Sequence, residues 1–224
     1  MWTHCKSIIL FFDVAPKDTI KKLCCDGNPK NDKRNAALIK MLATKDEEIK
    51  NMITDKSSYY ERKMFSIGLV QQQSALKVGG TPLVEVCENG QLEMAKTLIE
   101  SGADINAGRH SEYDVTPLIA SCYSKKTEIV KYLLSKSCDL RKKYLFVQKY
   151  VYKESWQEKY KYLEALHAAC RAKNNEEIVD LLMEKRKDWN HEHLTEAYDC
   201  DKDMIAYVNS KRNKFKEKSS SSSD

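Results

Sequence analysis

Glycine and proline are scarce, 7 and 4 among 224 residues. Average usage puts roughly 12% of a chain in these two types, and the share here is under half of that. So few breakers exclude a collagen-like chain, a linker and a turn-rich all-β domain. No apolar run approaches the roughly 20 residues of a membrane-spanning helix, so no membrane association is expected. The run Ile8-Ile9-Leu10-Phe11-Phe12 stops at Asp13 with only Lys6 and His4 before it, which falls short of a secretory signal. What is present favours a helical core: 42% of residues are hydrophobic and 32% charged, with straight-chain helix formers prominent. The length predicts one domain or at most two.

The eight cysteines form no CxxC pair. Cys24 and Cys25 are adjacent, and Cys5, Cys87, Cys122, Cys138, Cys170 and Cys200 are scattered. That spacing suits reduced thiols better than a disulfide framework, and the expected location is intracellular, cytoplasmic rather than nuclear.

The middle of the chain repeats itself. Residues 81–107 read TPLVEVCENGQLEMAKTLIESGADINA, and 116–141 read TPLIASCYSKKTEIVKYLLSKSCDLR. They align without a gap at a period of 35, pairing Thr81 with Thr116, Cys87 with Cys122, Leu98 with Leu133 and Asp104 with Asp139. A third copy, 164–191, needs one inserted residue and places Leu166 and Cys170 in the same positions. Thr before Pro at a first helical turn is a start signal, since the hydroxyl accepts a backbone N–H and proline lacks the donor that would go unpaired. A short helix over about 82–88 follows, then an Asn89-Gly90 turn, then a helix over about 92–101 ended by Gly102. Helix, turn, helix and projecting loop cannot bury an apolar face alone, so such units stack.

This unit resembles the ankyrin repeat, whose pattern runs T-P-L-H-x-A and later G-x-x-E-I-V-K-x-L-L-x-x-G-A-D-x-N. The first copy matches nearly throughout. The second has Lys125 and Ser137 where the pattern has glycine, and the third replaces Thr-Pro by Glu164-Ala165 while keeping the pattern's histidine at His167. The resemblance implies an all-α, ankyrin-type α-solenoid. Degenerate copies at 38–54, aligning Leu38 with Leu83, and at 194–208 bring the expected number to about five. The expected organisation is an N-terminal helical cap over 1–30, a stack over 31–209 and a basic, serine-rich disordered tail over 210–224. Of the two long inserts, 142–163 begins with YLFVQKYVY, a candidate hairpin arm, and passes into Ser155-Trp156-Gln157-Glu158, a capping-box pattern.

Catalytic signals are thin. Val78-Gly79-Gly80-Thr81 lacks the Gly-Lys-Ser/Thr of a phosphate loop, and no G-x-S-x-G or H-E-x-x-H occurs. His191-Glu192-His193 with Cys170 and Cys200 lacks the ligand spacing of common zinc sites. Cys87, Cys122 and Cys170 share a position where the ankyrin pattern usually has alanine, so they read as core packing. No enzyme activity, cofactor or metal is expected.

Binding is the expected role, through a concave face of first helices beside projecting loops, as the resemblance implies. The candidate contact residues are Lys77, Val78, Glu88, Asn89, Arg109, His110, Glu112, Tyr113, Tyr123, Ser124 and Lys136, with Arg109 and Tyr113 as first anchors. The expected partner is a protein and the expected state a monomer. A rival reading rests on charge. Residues 136–162 hold eight Lys or Arg against three Asp or Glu, interleaved with seven aromatics, and 211–218 hold five against one. Such a composition also suits RNA or single strands.

Overall fold

The helices begin where the sequence marks them. The computed structural model of the chain describes residues 20, 22–45, 47–54, 81–108, 115–152, 155–186 and 200–220. In the two Thr-Pro copies, the Val84 N–H donates to Thr81 Oγ1 and the Ile119 N–H to Thr116 Oγ1, both at 3.3 Å. These caps open α3 (Pro82–Asn89) and α5 (Pro117–Tyr123). The copy without Thr-Pro solves the same problem differently. Glu164 accepts from the first turn of α7 (Ala165–Cys170), while its own N–H donates to His167 Nδ1 at 3.2 Å. The three helices stack in sequence order, α3 on α5 and α5 on α7, and form an inner column. Leu83, Leu118 and Leu166 are buried along it.

Each inner helix turns back into an outer one: α4 (Leu92–Glu100), α6 (Thr127–Ser135) and α8 (Glu176–Lys185). The turns use the left-handed region, at Gly90 (φ +86°), Lys125 (φ +55°) and Asn174 (φ +52°). Lysine and asparagine therefore hold a conformation that glycine adopts without a Cβ penalty. The outer helices bury Met94 and Leu98, Ile129 and Leu133, Ile178 and Leu182 at repeating positions. Each such side chain contributes about 1.5–3 kcal/mol by leaving water. The loops repeat as well: Asp104 accepts from the Asn106 N–H, Asp139 from the Arg141 N–H, and Asn106 Oδ1 accepts from the Asp139 N–H at 2.7 Å across the two copies.

The first copy begins earlier than its leucine spacing suggested. Helix α1 (Asp32–Lys45), which contains Leu38, packs along the outer helix α4, not along α3. Its Asp32 carboxylate accepts from the Glu93 and Met94 N–H groups, both at 2.9 Å, and caps α4, which has no side-chain cap of its own. An outer helix needs an inner one before it, and Ile20 and 22–24 are helical there. Ile20 and Cys24 are fully buried, Gly27 (φ +61°) makes the turn, and Asn89 Nδ2 donates to Cys24 O at 3.2 Å. The segment read as a cap over 1–30 thus carries the inner helix of the first copy, with Cys24 in the position of Cys87. Pairing Leu38 with Leu83 was wrong because apolar periodicity alone does not separate an inner from an outer helix. Helix α2 (Glu47–Thr54) packs back on α1, and its Thr54 lies beside Gly102.

At the far end, α9 (Lys202–Ser220) packs on α8 as the outer helix of a last copy. Met204 and Val208 are buried, and Asp180 accepts from Tyr207 Oη (2.9 Å) and Lys211 Nζ (2.9 Å). Of the degenerate copy expected at 194–208, residues 194–199 lie outside the described residues. The tail expected to be disordered from 210 is helical to Ser220, because Lys, Arg and Glu without a breaker extend a helix already nucleated on the stack. Among the described residues the solenoid carries one non-helical insertion, an antiparallel hairpin of β1 (Tyr144–Tyr152) and β2 (Ser155–Leu163). The hairpin arm is therefore present, but Ser155-Trp156-Gln157-Glu158 starts a strand and caps no helix. Pairing with β1 overrode the local signal.

Candidate functional site

Four cysteines form the seam of the inner column. Cys24, Cys87, Cys122 and Cys170 are each fully buried with free thiols. Burial pushes all four thiols well above the ordinary range, so they are neutral. The backbone carbonyls of three of them, Cys24, Cys122 and Cys170, receive donors from the next copy. Asn89 reaches Cys24, Asn175 Nδ2 reaches Cys122 O at 3.1 Å and Ala169 O at 2.9 Å, and the Asp201 N–H reaches Cys170 O at 2.8 Å. These bonds satisfy carbonyls that a helix end leaves open and lock successive copies in register.

The residue after each cysteine faces outward instead. That position holds Cys25, Glu88, Tyr123 and Arg171, one per copy and each different. Three of them line one cleft, with Val115, Ile119, Ala120, Ser124, Ala168 and Tyr144. The cleft encloses about 380 Å³ including its open mouth. Its floor is apolar. The Arg171 guanidinium sits 5.3 Å from the centroid of the Tyr123 ring, a cation–π distance. Tyr144, the first residue of β1, closes one side, and burial pushes its phenol up to about 12 despite the opposing Arg171 charge. At the hairpin root, Arg186 Nη1 pairs with Glu164 Oε2 at 3.0 Å and donates to Leu140 O at 3.3 Å. That ion pair is largely removed from water, so it fixes where the hairpin leaves the stack.

Of the candidate contact residues, Glu88, Tyr123 and Ser124 converge on this cleft. Asn89 does not, because its amide is committed to the Cys24 carbonyl. Lys136 stands at the end of outer helix α6, with its ammonium 5.6 Å from the Tyr132 ring centroid. Lys77, Val78, Arg109, His110, Glu112 and Tyr113 lie outside the described residues. Sequence reasoning missed Arg171 and Tyr144. Arg171 was within reach: carrying the position after the cysteine into the third copy names it. Tyr144 needed the hairpin root, which no motif marks. Among the described residues no group of three or more His, Cys, Asp or Glu is arranged to hold a metal ion, and no helix is long and apolar enough to cross a membrane. His191, Glu192 and His193 lie outside the described residues.

The family described as ankyrin repeats, in three copies, matches residues 14–144 and 108–193. The chain therefore belongs to the ankyrin-repeat family. It is 43% identical over 63 residues to the BRCA1-associated RING domain protein 1 of Caenorhabditis elegans, a match covering 28% of this chain and 9% of that protein. The chain thus aligns with a small part of that relative.

Proposed function

We propose that this ankyrin-repeat protein is a non-enzymatic docking module that holds a protein partner in the cleft along its inner helices. Ankyrin repeats generally mediate protein–protein interaction and are generally non-enzymatic. The observation that carries the finer reading is the contrast between adjacent positions. The cysteine position is uniform and buried, while the next one holds a different residue in each copy and in three of them lines the cleft. An apolar floor beside a tyrosine and an arginine has the composition of an interface hot spot. The partner is a protein, the module is a monomer, and it works inside the cell.

The test is site-specific photocrosslinking, with benzoylphenylalanine at residue 123 or at residue 131, an exposed position of outer helix α6. In nuclease-treated extract, residue 123 should crosslink a discrete protein that residue 131 does not. Equal crosslinking from both positions would refute the cleft as the docking face.

A further inference from the structure

The hairpin is not explained by the cleft. Among the described residues its strands pair with each other alone, and no helix packs along either. A lone two-stranded ribbon is marginal in water and is normally completed by a third strand or a packed face. Its two edges also differ. Strand β2 holds Glu158, Lys159 and Lys161, whereas β1 is aromatic or aliphatic at seven of nine positions and has one charge, Lys149. Sheets usually protect an exposed edge with charges, proline or a bulge. Strand β1 has neither proline nor glycine, and its nine-residue register with β2 is unbroken. No described residue pairs with its outer edge, which is thus a template for another strand.

The charge says what kind of strand fits. Lys149 stands opposite Glu158, so that pair balances, while Lys159 and Lys161 stand opposite Gln148 and Phe146. Lys143 precedes β1 at the root. We propose that the hairpin is a strand-addition arm: an extended acidic segment of a partner protein pairs with the free edge of β1 and completes a three-stranded sheet. Main-chain hydrogen bonds along β1 supply affinity, and Lys143, Lys159 and Lys161 select acidic side chains. A second copy of this chain would bring like charges together, so it fits less well. The proposal is independent of the cleft and stands or falls without it.

The test uses labelled nonapeptides on the full chain: one alternating Glu and Val, one alternating Lys and Val, and the acidic one with a central proline. The acidic probe should bind at least tenfold more tightly than the other two, by anisotropy, and slow amide exchange over 144–152. Val147→Glu with Val151→Glu should weaken it at least tenfold. Gln157→Lys, which leaves β1 untouched, should tighten it, so the proposal stays testable if the double variant disrupts the hairpin. Equal binding of acidic and basic probes would overturn it. So would protection confined to the inner helices, a hairpin-dependent dimer in sedimentation, or displacement of the probe by oligo(dT) at equal concentration.

Discussion

Two positions one residue apart have opposite fates in this molecule. Cys24, Cys87, Cys122 and Cys170 are alike and enclosed, whereas Cys25, Glu88, Tyr123 and Arg171 differ and face outward. The helical geometry is the cause. Successive residues point about 100° apart, so the end of an inner helix turns one side chain into the seam and the next toward solvent. The seam position must fit between neighbouring copies at close-packed density, which favours one small apolar shape repeated. The outward position meets no such demand and is open to chemistry. The adjacent pair Cys24-Cys25 shows it most directly, since one residue type takes both roles.

Cys122→Asp should have the largest effect on this contrast. A carboxylate in the seam has no counter-charge, and the expected loss is about 3–5 kcal/mol, read as a shift of the urea midpoint. Asn175→Ala should come next. It removes both donors from the buried Cys122 and Ala169 carbonyls, at about 1–3 kcal/mol. A midpoint unchanged in Asn175→Ala would show that the inter-copy bond contributes nothing to register.

The thiols also set a pH dependence. Their folded-state values lie above the ordinary one of 9.0, so the unfolded chain releases protons first. The stability each contributes is full below about pH 9 and falls as pH rises toward the folded value. Between pH 8 and 10 the midpoint should drop, and Cys122→Ala should reduce that drop by about 1 kcal/mol. The smallest expected effect on stability belongs to the outward position. Tyr123→Ala removes a cation–π contact and should cost under about 1 kcal/mol, with helicity by circular dichroism unchanged, yet abolish crosslinking of the partner from benzoylphenylalanine placed at the neighbouring residue 124, which lines the same cleft. A cost as large as that of the seam variants would mean that Tyr123 belongs to the frame.

The good copies were legible because their signals are local. Thr81-Pro82 and Thr116-Pro117 announce their own helices, and the cysteines mark the seam from spacing alone. The first copy was harder, because Leu38 and Ile39 are equally compatible with an inner or an outer helix. Only the packing of α1 on α4, and the capping of α4 by Asp32, assigned it. Of the site, Glu88, Tyr123 and Ser124 were readable as exposed repeat positions. Asn89 looked the same by sequence, and its bond to a carbonyl 65 residues earlier could not be read from neighbours. The strand at Ser155–Leu163 was hidden for a related reason, since its partner across the turn outweighed a local capping pattern.

By itself, the sequence determined the repeat, its helix starts, its buried cysteine position and the fact that its units must stack. All of these follow from interactions within about one repeat length. Tertiary structure alone decided which helix of a degenerate copy lies inside, which outward residues share a cleft, and where the hairpin leaves the stack. Those outcomes depend on contacts between copies, and periodicity along a chain carries no record of what a neighbouring copy will cover.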